Sequence, residues 1–205
     1  MTRLLKILAL LYRMTNGEID ALTDAIVDQR KQTWRATIGQ EARPFGYQGP
    51  AEGPRREDLA YVRDLSRQDA RSIARTWARD VAQQLNRLYE ANYRGNRHYY
   101  IKHMTAWAKE RDVWKSRQIA VQTEFTTVTY AKDRFWQMNG LRGGKFVFDG
   151  PPPVCEKCVQ HFAAGVVDQV YVTRNQTPVH FGCPHTWKLI TGSITAPSPQ
   201  ELWVG

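Results

Sequence analysis

Cysteine is scarce in this chain and long hydrophobic runs are missing. Among 205 residues there are three cysteines. An odd number cannot all pair as disulfides, which sets aside a disulfide-stapled secreted scaffold and favours a reducing compartment. No stretch reaches the roughly 20 apolar residues that a membrane-spanning helix needs. The nearest is the N-terminal MTRLLKILALLYRM, with a basic start and an apolar run. Arg13 closes that run early and no small-residue cleavage site follows, so a signal peptide fits poorly. A short amphipathic helix, docked on a partner or on the body of the protein, fits better. The expectation is a soluble intracellular chain without membrane contact. Acidic residues are outnumbered, 20 Asp/Glu against 29 Lys/Arg, for a net charge of +9 and a pI near 9.6. That balance points to an anionic partner, either nucleic acid or an acidic protein surface. No paired carboxylates, H-E-x2-H run or Ser/His/Asp set stands out, so nothing marks an enzyme. Internal repeats and low-complexity runs are absent as well. The apolar fraction of 42% and the seven tryptophans suffice for a real core.

What cysteine there is falls in one place. The stretch Pro151 to Trp187 holds all three, with three of the five histidines. Cys155 and Cys158 form a C-x2-C pair; His180 and Cys183 form an H-x2-C pair; His185 follows two positions on. Pairs at this spacing sit on tight turns that let two side chains converge on one ion, and two such turns supply the four N/S ligands of a closed tetrahedral zinc site. Cys155, Cys158, His180 and Cys183 make the most symmetric set. His185 can replace His180, and His161 is a weaker candidate. Four protein ligands leave no position for water, which makes the zinc structural. The plainer reading is three ordinary thiols among surface histidines. A redox C-x2-C would be expected to open a helix after a strand, whereas here three prolines precede it. A catalytic cysteine has no acid or base set out for it.

The rest of the chain is patterned for helices. Leu4, Leu5, Ile7, Leu8, Leu11 and Tyr12 give one apolar face, Asn16-Gly17 a turn, and Glu18 to about Ile38 a second helix with Ile19, Leu22 and Ile26 on one stripe. The breakers of Gly39 to Pro54 read as a linker loop, setting residues 1–38 apart as an N-terminal helical arm. From 55 to 140 the period is helical throughout and predicts a three-helix bundle. Ser66 with Asp69 resembles an N-cap, followed by Ile73, Trp77, Val81, Leu85 and Leu88. Asn96 starts a second helix carrying Tyr100, Met104, Trp107 and Trp114. A third, from Ser116 to Met138, presents Ile119, Thr123, Thr127, Ala131 and Phe135, and Asn139-Gly140 ends it. Residues 141–205 change character. Lys145 to Phe148, Val166 to Thr173 and Thr186 to Ile190 read as strands, followed by an extended tail with Trp203 pinned on a surface. The apolar content of this region is thin, so a bound ion would hold its loops. The fold class implied is α+β, mainly α, with a small zinc-stabilised β region at the C-terminal end.

Charge is unevenly placed. Residues 55 to 118 hold fifteen Lys/Arg against eight Asp/Glu. Arg63, Arg67, Arg71, Arg75 and Arg79 recur every four residues and would line one side of a helix. Such a row suits non-specific contact with the phosphates of double-stranded DNA, each contact releasing counterions; a solvated helix face is the alternative.

One combination of motifs resembles a known family. Thr123-Glu124 in a helix, the Asn139-Gly140 end, the Lys145-Phe146 strand, Cys155-x2-Cys158 and Pro178-Val179-His180-Phe181-Gly182-Cys183 are similar to the phage head morphogenesis family, the Mu protein F-like minor capsid proteins. The likeness covers roughly residues 116 to 185. That family commonly ends in H-P-x-C-R-C; this chain has Phe181 in place of the Pro and His185 in place of the last Cys, a position where histidine can also bind zinc. The resemblance implies a minor head protein in the virion of a tailed phage, assembled in the host cytoplasm. Its partners would be the portal protein or the major capsid protein and the packaged DNA, and its work head morphogenesis or genome retention and ejection. A zinc-containing nucleic-acid-processing enzyme, or a DNA-binding zinc module, is the other class to be separated from it.

Overall fold

A computed structural model describes residues 13–91, 96–153, 155–177, 183–195 and 197–204, with the backbone alone at 112–118. The chain is mainly α-helical with a small sheet near the C-terminus. Three long helices come first: α1 Asn16–Ala42, α2 Arg56–Ala91 and α3 Arg97–Met138. They are followed by β1 Lys145–Asp149, α4 Glu156–Ala163, α5 Gln169–Arg174 and β2 Thr186–Ile190. The amphipathic segment expected at residues 4–12 lies outside the described residues.

The helices depart from expectation at their ends, each time for a local reason. At the start of α1, Thr15 and Glu18 form a reciprocal cap. The Glu18 amide donates to Thr15 Oγ1 at 3.2 Å and the Thr15 amide to Glu18 Oε2 at 2.7 Å. At its far end α1 runs through Gly39 to Ala42, because Trp34, Ile38 and Ala42 continue one fully buried stripe. Helix α2 starts at Arg56. Ser66 is not its cap but a buried mid-helix residue whose hydroxyl donates to the Val62 carbonyl at 2.7 Å. The two helices expected at 96–114 and 116–138 are one helix, α3, of 42 residues. No Gly or Pro interrupts 97–138, and Ser116 alone does not stop a helix.

By its contacts the chain forms two compact units. One comprises Met1–Asp28 and Ala60–Ile119; the other comprises Gln29–Leu59 and Ala120–Gly205. In the first, Val81 and Leu85 of α2 are buried with Tyr100 and Met104 of α3, and Trp77 stacks on Trp107 with ring centres 5.4 Å apart. In the second, the C-terminal half of α1, the C-terminal half of α3 and the small sheet share one core. Trp34, Ile38, Phe135, Trp136, Phe146, Trp187 and Trp203 all belong to it. The strands therefore do not stand as a thin, separate region.

The sheet is a single antiparallel pair running from Lys145↔Ile190 to Asp149↔Thr186. Its alternation puts Phe146 opposite Leu189 and Phe148 opposite Trp187 on the buried face, cross-strand pairs of the kind that stabilise such ladders. The third strand expected at 166–173 does not form. Val167 makes one bridge to Phe146, then Asp168 caps α5 by accepting from the Tyr171 amide at 2.9 Å. A β-branched run has been overridden by a good N-cap. Asn139 ends α3 just before Gly140, which takes φ 67°. The Asn139 side chain donates to the Trp203 carbonyl at 3.1 Å and accepts from the Trp203 amide at 2.7 Å, fastening the tail into the core.

Two polar clusters are sealed into this second unit. Asp58, 1% exposed, forms an ion pair with Arg134 (Nε to Oδ1 2.7 Å) and accepts from Arg134 Nη2 at 3.3 Å and from the Tyr130 hydroxyl at 2.9 Å. Lys132 pairs with Glu41 at 3.3 Å and donates to the Trp187 carbonyl at 3.2 Å. Lys132 is thus engaged with Glu41, and Glu124 is exposed. Thr123 is buried, and its carbonyl accepts from the Thr127 hydroxyl at 2.7 Å.

Candidate metal centre

Three pieces of chain are brought together by the sheet. β1 ends at Asp149, so Gly150 and Pro151 leave its end; Cys183, Pro184 and His185 lead into β2 beside them. Helix α4 completes the group. Pro151 to Pro153 keep the chain extended after β1. Cys155 is then the N-cap of α4, with φ −114° and ψ 150°, its Sγ accepting from the Cys158 amide at 3.4 Å. The C-x2-C pair therefore does open a helix after a strand, contrary to the expectation of two tight turns.

Cys158, Cys183 and His185 converge, their ligand atoms all within 4.8 Å of one another. Cys158 Sγ is 3.6 Å from Cys183 Sγ, and Cys183 Sγ is 3.4 Å from His185 Nδ1. Zinc bonded to sulfur at about 2.3 Å and nitrogen at about 2.0 Å in a tetrahedron sets S···S near about 3.8 Å and S···N near about 3.5 Å. The residues fit a metal of that kind. Cys155 lies outside the tight trio, yet its thiol is hydrogen-bonded beside Cys158. His180 and the surrounding Pro178 to Gly182 lie outside the described residues. His161 is not in the group. It is buried among Phe148, Tyr171 and Trp187, with Nδ1 3.3 Å from the Tyr171 hydroxyl, and burial, with Lys157 nearby, lowers its pKa.

The trio is closed to solvent. Cys158 is 1% exposed, Cys183 0% and His185 2%. Phe148 stacks on His185 at 5.2 Å and Phe162 meets it edge-on at 5.4 Å. Burial pushes the Cys158 thiol up to about 12, with hydrogen bonds from Cys155 and Cys183 adding to the rise. That rise favours the neutral thiol at Cys158 in the metal-free chain, unlike the low-pKa thiolate of a nucleophilic cysteine. The arrangement can hold an ion in a nearly solvent-inaccessible position.

Arg63, Arg67, Arg71, Arg75 and Arg79 are all exposed on α2. A step of four residues overshoots one helical turn by about 40°, so the row winds round the helix rather than tracking straight. Arg67 meets Asp64 at 3.3 Å and Arg79 meets Asp80 at 3.8 Å. Arg71 and Arg75, with Arg13, Asp20 and Gln68, line an open cleft of about 940 Å³. Among the described residues no helix is long and apolar enough to cross a membrane.

Sequence reasoning missed the outer partners of the trio: Gly150, the Pro151 carbonyl and the ring of Phe148. They adjoin His185 through strand register, which spacing alone does not contain. No protein-family model, curated protein or solved structure matches the chain.

Proposed function

We propose that this chain is a structural and interaction protein of a tailed-phage head, a minor capsid component whose C-terminal unit is held by a structural zinc ion. Cys158, Cys183 and His185 supply three ligands, and Cys155, beside Cys158 at the N-terminus of α4, supplies the fourth. The observation that carries the zinc reading is the buried trio itself, with 3.6 Å between sulfurs and 3.4 Å from sulfur to nitrogen. Closure of the site supports a structural ion over a catalytic one, because a catalytic zinc keeps a position open for water or substrate. The head-protein role rests on the motif string from Thr123-Glu124 to Cys183, and the exposed arginines of α2 suit a protein lying on the DNA path. Portal or major capsid protein and non-specific duplex DNA are the partners that follow.

Elemental analysis of the purified protein, with a pull-down against the products of neighbouring genes, tests both halves. One zinc per chain and co-purification with a portal ring are the expected results. A zinc-free protein removes the metal. Zinc-dependent cleavage of DNA would replace the structural reading with the enzyme one.

A further inference from the structure

We infer that Gly150 and the Pro151 carbonyl are positioning elements that make His185 an Nδ1 ligand; the inference rests on the zinc reading above. His185 Nε2 lies 2.7 Å from the Pro151 carbonyl oxygen. A carbonyl can only accept, so the proton of the neutral imidazole sits on Nε2. That leaves the lone pair on Nδ1, the atom turned toward Cys183 Sγ at 3.4 Å. Metal-binding histidines commonly donate their second nitrogen to a backbone carbonyl in this way, which fixes both tautomer and ring orientation.

Gly150 provides the room. Its φ is +148°, where a side chain is strained, and a Cβ there would lie 2.6 Å from His185 Cδ2 and 3.3 Å from His185 Cα. The ring cannot swing aside without loss, since Phe148 stacks on one face, Phe162 abuts it and Pro151 holds Nε2. The register Asp149↔Thr186 makes this meeting unavoidable, because the next residues along the two chains are Gly150 and His185. Any side chain at position 150 therefore displaces the nitrogen ligand.

Two measurements test this. In protein labelled with ¹⁵N-histidine and loaded with ¹¹³Cd, the metal should couple to His185 Nδ1 while Nε2 keeps a slowly exchanging proton. Coupling to Nε2, or to another histidine with His185 uncoupled, overturns the inference and leaves the zinc reading standing. A protein that takes up no cadmium overturns both. Cobalt(II) titration then compares Gly150→Ala with Gly165→Ala. Gly165 also has positive φ, +65°, but a Cβ there meets nothing within 4 Å, so it reports backbone strain without crowding. Gly150→Ala should bind cobalt about 10–100-fold more weakly, the loss typical of a disturbed outer partner, and Gly165→Ala as the parent does. Equal affinity in the parent and Gly150→Ala, or equal losses in both variants, overturns the positioning role.

Discussion

If an ion joins Cys158 to Cys183 and His185 only in the folded chain, stability must depend on free zinc. Linkage sets the size of that dependence. Once free zinc exceeds the dissociation constant, each tenfold increase adds about 1.4 kcal/mol. The unit that responds is set by the core. Cys158 and Cys183 are buried in the same cluster as Trp34 and Ile38 of α1 and Phe135 of α3. The zinc-sensitive transition should therefore take in residues 29–59 and 120–205, a unit of about 120 residues. For a unit of that size 1 kcal/mol moves Tm by about 4 °C, so each decade of zinc is worth about 5–6 °C and three decades about 16 °C. Thermal melts in zinc buffers spanning three decades, followed by near-ultraviolet circular dichroism, read this directly. Trp187, 2% exposed and packed on Phe148 at 4.9 Å, sits in the responding core. Cys158→Ser should flatten the slope. A Tm that stays constant across the whole zinc range in the parent would refute the metal clamp. A zinc-dependent step that involves only the strands, without helical signal, would refute the shared core.

Three further outcomes follow from the structure. Asp58→Asn leaves Arg134 without its closest buried partner; with Glu57 still at 2.8 Å, the loss should be about 3 kcal/mol by urea denaturation. His161 is buried neutral between Tyr171 and Trp187, with Lys157 adding to its lowered pKa, so the unfolded chain takes up a proton first as pH falls. Its contribution is whole above the ordinary histidine value of about 6.5 and is lost as pH drops below it, so melts at pH 7.5 and 5.5 should differ more in the parent than in His161→Gln. If α2 contacts DNA as proposed, changing Arg71, Arg75 and Arg79 together to Glu should abolish salt-dependent retardation of a duplex, while unchanged binding would take DNA off the α2 face.

Much of this was legible in the sequence where one period dominates. β1 and β2 were legible as short strand-forming runs, and Asn139-Gly140 marked the end of α3 because a left-handed residue is needed there. What escaped notice was decided by competition between signals. Gly39 looked like a stop, yet burial of Trp34, Ile38 and Ala42 outweighs the roughly 1 kcal/mol that a mid-helix glycine costs relative to alanine. Ser66 and Ser116 looked like starts, but a serine can equally return its hydroxyl to the carbonyl one turn back, as Ser66 does to Val62. At 166–173 the β-branched residues promised a strand, while Asp168 three residues before Tyr171 carried the deciding cap. Cys158, Cys183 and His185 were legible as members of one candidate metal-binding set. Mirror symmetry of the two pairs favoured His180, which lies outside the described residues; His185 is brought to the cysteines by the strand register that sets it opposite Gly150 and Pro151.

The same pairing logic bears on how Cys155 and Cys158 should be understood. A C-x2-C pair at the start of a helix after a strand has the layout of a redox site. Redox pairs depend on an exposed first sulfur and a second that waits for it. Here the second, Cys158, is hydrogen-bonded to Cys155 and also touches a third sulfur, Cys183, arriving from the opposite end of the region at 3.6 Å, with His185 Nδ1 next in line. Two sulfurs and an imidazole nitrogen from separate segments, each nearly inaccessible, form a group that could hold a cation. Position at a helix start thus does not decide the chemistry of the pair. The third sulfur does, because it turns a local motif into a junction between α4 and the entry to β2.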